Sequence, residues 1–105
     1  MKNKTFKGTP GPWIYYYDPL DFVSRGGSFR VKADDAASTP VGNLPNPTGF
    51  YSQKQEANAR LIATAPELLE AAQRMVRDIS DAGVDEDWPE YDALKAAVDK
   101  ALGNE

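Results

Sequence analysis

Residues 57–69 read Ala57-Asn58-Ala59-Arg60-Leu61-Ile62-Ala63-Thr64-Ala65-Pro66-Glu67-Leu68-Leu69, a run of helix-forming residues interrupted by Pro66. Proline has no amide hydrogen and its ring crowds the preceding turn, so in a helix interior it removes a bond and strains the backbone. In a first turn it does neither, because the amide it lacks has no intrahelical partner there. Thr64 and Glu67 have the spacing of a capping box, in which Thr accepts the N3 amide and Glu reaches back to the cap amide. The stretch therefore predicts a break near 63–65, with Pro66 starting a second helix.

Working toward the N-terminus, Ser52 and Gln55 form another capping box, which predicts that helix one starts at residue 52. Ala57, Leu61, Ile62 and Ala65 draw its apolar stripe. Toward the C-terminus, Leu68, Leu69, Ala72, Met75, Val76 and Ile79 line helix two. Asp87-Trp88-Pro89-Glu90 repeats the arrangement of cap residue, first-turn proline and acid ahead of helix three, expected over 88–102 with Tyr91, Leu94, Val98 and Leu102 on one face. The short link "SDAGVDED" makes helices two and three antiparallel neighbours.

The N-terminal half has a different period. After a polar lead over 1–12, expected to be flexible and then extended at "TPGP", "WIYYYD" supplies β-prone residues for strand one at 13–17. In "FVSRGGSFRVKA", runs near 22–25 and 28–33 flank Gly26-Gly27, the residues a tight hairpin turn requires. Residues 34–49 hold three prolines and two glycines and read as loop, with room for a short edge strand at 41–44. The fold class expected is α+β: a small antiparallel sheet of about three strands, packed on two to three C-terminal helices. The whole chain is read as one domain, with sheet and loops over 13–51 and helices over 52–105.

Composition narrows the chemistry. At 105 residues the chain is too short for two independent cores. It has no Cys, which excludes disulfides and thiolate chemistry, and no His, which excludes Ser-His-Asp hydrolysis and the usual zinc sites. No apolar stretch approaches a membrane span or a secretory core, so a soluble, unexported protein is expected. The net charge of −4 is unevenly spread: residues 1–51 carry six Lys/Arg against four Asp/Glu, residues 52–105 six against twelve. An acidic half argues against non-specific binding of duplex DNA.

Two segments carry a likeness: Gly11-Pro12-Trp13, and the run from Asn58 to Ala71, "NARLIATAPELLEA". They resemble a group of small uncharacterised proteins of tailed bacteriophages and prophages that pair a "GPW" start with an "NARLIAxAPELLEAL"-like helix. Residues 18–50 and 86–105 lie outside the likeness, and Ala72 stands where a second leucine is usual. The resemblance implies phage accessory gene content and the cytoplasm of an infected bacterium. It implies no catalytic residue.

For binding, Trp13, Tyr15 and Tyr17 share one face of strand one, with Ile14 and Tyr16 on the other. In 28–33, Phe29 and Val31 alternate with Arg30 and Lys32. Tyrosines beside Arg25, Arg30 and Lys32 can stack a base and neutralise a phosphate; equally, aromatics serve as core and Lys/Arg as a solvated face. Asn58 and Arg60 on helix one either reach an anionic ligand or bond locally, Arg60 to Glu56 or Glu67. The candidate ligand residues are thus Trp13, Tyr15, Tyr17, Arg25, Arg30, Lys32, Asn58 and Arg60. "SRGGS" lacks the spacing of a phosphate loop, and the acids Asp81, Asp85, Glu86 and Asp87 lack that of a calcium loop. No catalytic residue, metal ligand or cofactor is expected. The expectation is a non-enzymatic protein that binds a small nucleotide signal or a host defence protein, self-associates, and engages neither duplex DNA nor a membrane. The alternative is a protein–protein inhibitor or assembly module acting through the acidic helices.

Overall fold

The computed structural model describes residues 6–19, 26–46, 52–83 and 88–103. Its elements are β1 (Trp13–Asp18), β2 (Ser28–Ala33), β3 (Pro40–Pro45), α1 (Gln53–Asp81) and α2 (Pro89–Leu102). The three strands form one antiparallel sheet in the order β1-β2-β3, and two helices follow, so the fold is α+β. By contacts the chain divides into two compact units, one of Thr9–Pro66 and one of Met1–Gly8 with Glu67–Glu105.

In the first unit β2 is the central strand. Its burial alternates, with Phe29, Val31 and Ala33 each only 1% exposed and Arg30 and Lys32 half-buried. This is the period-two pattern of a strand with one covered face. β1 lies on one edge, in the register Tyr17↔Phe29, Tyr15↔Val31 and Trp13↔Ala33, and β3 lies on the other. The expected hairpin between 22–25 and 28–33 does not fit this sheet, because both edges of β2 are taken; residues 22–25 themselves lie outside the described residues. The edge strand expected at 41–44 is β3, with proline at both ends, where a missing ladder donor is tolerated. The end of the polar lead is tied to the sheet: the Trp13 indole donates to the Thr9 carbonyl at 3.1 Å, and the Asp34 amide to that of Pro12 at 2.9 Å.

Gly27 enters β2 with φ +74°, in the left-handed region. A Cβ there would stand 2.7 Å from the Asp18 carbonyl oxygen and 2.8 Å from the Tyr17 hydroxyl. Gly27→Ala therefore combines a strained backbone with a contact that backbone cannot relieve, and should lower the unfolding free energy by about 2 kcal/mol. A urea midpoint unchanged by the substitution would show that this turn is not held as described.

Asn46 joins three elements and is 4% exposed. Its side-chain amide donates to the Gly26 carbonyl at 2.9 Å and its backbone amide to that of Gly27 at 3.0 Å, while its side-chain oxygen accepts the Ser52 amide at 3.3 Å. The turn before β2, the end of β3 and the start of α1 thus share one buried side chain. Half of the Ser52–Gln55 capping box is made: the Gln55 amide donates to Ser52 Oγ at 3.2 Å. The Gln55 side chain instead donates to the Pro45 carbonyl at 2.9 Å, since Asn46 has already taken the Ser52 amide.

α1 runs unbroken for 29 residues with Pro66 inside it, so the expected break near 63–65 is not there. Thr64 does not cap. Its hydroxyl donates back to the Arg60 carbonyl at 2.8 Å, the local bond that Ser and Thr make inside helices. The stripe differs too: Ala59 (0% exposed) and Ala63 (6%) pack with Phe29 and Val31, joined by the partly buried Ile62, Trp13, Tyr15, Val41 and Leu44. Ala57 is exposed, and Leu61 is 63% exposed. Side chains of one carbon let the helix backbone lie close over the aromatic sheet face at native packing density, where a leucine would hold it off.

In the second unit, Leu69, Ala72, Val76 and Ile79 of α1 are half-buried, whereas Leu68 and Met75 are more than half exposed. α2 starts with Pro89 in its first turn, as the sequence implies. Its cap residue is Trp88, without a side-chain cap bond, and the expected cap Asp87 lies outside the described residues. Gly103 ends α2 at φ 76°, its amide returning to the carbonyls of Asp99 and Lys100. Val98 is the buried residue of this helix.

Candidate functional site

With one face of the sheet covered by Ala59, Ala63 and Ile62, attention falls on the other. Register decides what it carries. Tyr16 pairs with Arg30, Ile14 with Lys32 and Asp18 with Ser28, and Asn43 of β3 faces Arg30 from the far side. Ile14 and Tyr16 remain 38% and 42% exposed. The Lys32 ammonium lies 5.3 Å over the centre of the Tyr16 ring and 3.5 Å from Ser38 Oγ. A cation over a tyrosine face is an attractive pairing that keeps a charge beside an open ring. The Arg30 guanidinium donates from Nε to Asp18 Oδ2 at 2.7 Å, which fixes its plane along the strand pair. The outcome is a shallow face of one open ring, an aliphatic side chain, two cations and one carboxylate. Ser28 Oγ is fully buried at its end and has no hydrogen-bond partner among the described residues.

The seven candidate residues that are described do not converge. Trp13 and Tyr15 pack against the core on the helix side of the sheet, and Tyr17 lies on that side as well, its ring 5.4 Å from Phe29 and its hydroxyl donating to the Gly26 carbonyl at 3.0 Å. Arg30 and Lys32 are on the opposite face. Arg25 lies outside the described residues. Asn58 is exposed and donates to the Gln55 side chain at 2.9 Å, and Arg60 forms an ion pair with Glu56 one turn away at 3.8 Å. The aromatic residue beside the two cations is Tyr16, which the sequence reading left out. Alternation identifies it once β1 is paired directly with β2, because Tyr16 then shares parity with Arg30.

Gly26 and Gly27 lead into a strand, so their amides do not open a helix onto a phosphate. Among the described residues no group of three or more Asp, Glu, His or Cys is placed to hold a metal ion, and no helix is long and apolar enough to cross a membrane.

Against this geometry, comparison with known proteins gives a family and no more. The model of the Salmonella phage P22 protein Y8K6 family matches residues 1–105. The chain belongs to that family. It is therefore a small phage protein, and the match covers both the sheet with its open face and the helices. No curated protein and no solved structure matches.

Proposed function

We propose that this phage protein acts by binding rather than by catalysis, and that the open sheet face holds a nucleotide signal of host immunity, which it withdraws from its receptor. One observation carries the reading: a solvent-facing tyrosine, Tyr16, with the Lys32 ammonium 5.3 Å over its ring and Arg30 paired across from it. Every base has a π-face that can stack on such a ring. Lys32 is a point charge on a flexible stem, so it can leave the ring for a phosphate when a base takes its place. Without His or Cys the chain lacks the usual nucleophile-activating and metal-binding groups, which fits a sponge better than a hydrolase.

Titration calorimetry against cyclic di- and trinucleotides tests this. Stacking contributes about 1–3 kcal/mol per base, so Tyr16→Ala should weaken binding about tenfold to a hundredfold. Lys32→Ala should act in the same direction, and both variants should keep the circular dichroism spectrum of the unmutated chain. No heat from any of these nucleotides with the unmutated protein would end the reading. A second reading, a protein–protein inhibitor or assembly module, is favoured by the exposed Leu61, Leu68 and Met75 on the long helix. Capture of one host protein with nothing small bound would move the assignment there.

A further inference from the structure

We propose that α1 pairs with α1 of a second copy of this chain in antiparallel orientation, centred between residues 69 and 70. The inference is independent of the nucleotide reading. Leu61, Leu68 and Met75 are 63%, 52% and 53% exposed and follow one another at seven-residue intervals along a single helix. Ala57 precedes them, Thr64 and Ala71 fall between them, and all three are exposed. These positions alternate by four and three, the a/d spacing of a coiled-coil seam. Ala59 and Ala63, which pack on the sheet, and Pro66 occupy outer positions of the same heptads, so the proline faces away from the seam.

The flanking charges specify the partner. Arg60, Glu67 and Arg74 stand immediately before Leu61, Leu68 and Met75, Asp81 follows at the same seven-residue interval, and the four alternate in sign. In an antiparallel pair these flanks face their own kind across the seam. In the register that packs Leu68 on Ala71, the same-flank residue nearest Glu67 of each copy is Arg74 of the other, and that nearest Arg60 is Asp81. All four contacts are then between opposite charges. Sliding either copy by one heptad turns every facing pair into like charges, Glu67 against Glu67 or Arg74 against Arg74. A parallel pair would set these residues against the other flank, Asn58, Ala65, Ala72 and Ile79, which carries no charge. Complementarity thus selects a second copy, one orientation and one register. Small residues at the centre, Ala71 against Leu68 and Ala65 against Ala72, permit close approach of the two backbones. Asp78, the one charge on the line itself, lies in its last turn, where its carboxylate stays solvated.

Sedimentation equilibrium of the full chain across the micromolar range should give twice the 11.5 kDa chain mass. Leu68→Glu should give a monomer with unchanged helix content. Glu67→Arg and Arg74→Glu, each alone, place like charges at both central contacts and should weaken self-association by about tenfold. An equimolar mixture of these two variants restores opposite charges at both contacts and should recover a heterodimer as tight as the original homodimer. A monomer at every concentration would overturn the proposal, as would a dimer untouched by Leu68→Glu, or single charge variants that associate as well alone as when mixed. A nucleotide titration that fails while these results hold would leave this inference standing, so the two failures are distinguishable.

Discussion

Phe29→Ala should remove about 3–5 kcal/mol of unfolding free energy, the largest loss expected from any single substitution in this chain. Phe29 is 1% exposed at the centre of the middle strand. Its ring lies 5.4 Å from that of Tyr17 and 6.4 Å from that of Tyr15, and Ala59 and Ala63 of α1 pack over the same cluster. Truncation costs the transfer free energy of the ring and leaves a cavity that neighbouring alanines are too small to fill. A domain of this size has total stability of about 5–15 kcal/mol, so the loss is a large fraction of the whole. Urea melts followed by circular dichroism measure it. Tyr16→Ala on the other face is the control, with an expected cost below about 1 kcal/mol, as for an exposed sheet position. Equal losses for the two variants would mean that both faces of the sheet are packed, which would also remove the candidate site.

That contrast shows where the sequence was legible and where it was not. Strand existence was plain from "WIYYYD" and "FRVK", because β-prone residues and strict alternation are local signals. Pairing was not: Gly26-Gly27 marks a turn, but nothing local says that the segment returning across it meets 13–18 instead of 22–25. With the wrong neighbour, the parity of Tyr16 relative to Arg30 was undetermined, and the stacking role went to Tyr15 and Tyr17, whose rings lie on the helix side. The stripe on α1 was misplaced for a related reason. Hydrophobicity points to Leu61, whereas close approach of a helix to an aromatic sheet selects for small size, and Ala59 and Ala63 carry almost no hydrophobic signal of their own. Asn46 left no trace as a buried joint, since Asn in a Pro- and Gly-rich stretch reads as a turn residue. Family membership was legible at the level of a small phage protein, and the match covers residues 1–105.

Pro66→Ala should raise the unfolding free energy by about 3 kcal/mol, the difference between proline and alanine in a helix interior. The substitution restores the amide that would donate to the Ile62 carbonyl four residues back and removes a ring that crowds that carbonyl. Thr64→Ala should be neutral or stabilise by a few tenths of a kcal/mol, because the Thr64 hydroxyl bonds the Arg60 carbonyl and caps nothing. The local sequence alone predicts the reverse pair of results. If Pro66 opened a new helix, its replacement would change stability by under about 1 kcal/mol, and loss of the Thr64 cap would cost about 0.5–2 kcal/mol. Urea melts of the two variants with equal m-values therefore decide whether α1 is one helix or two. The physical reason to expect one helix lies in what flanks the proline. Ala59 and Ala63 are held against the sheet before it, and the half-buried Leu69, Ala72 and Val76 continue the helical period after it. Burial on both sides stabilises helical geometry by more than one missing hydrogen bond costs, and the Thr64 hydroxyl, able to serve either arrangement, adopts the one that burial selects.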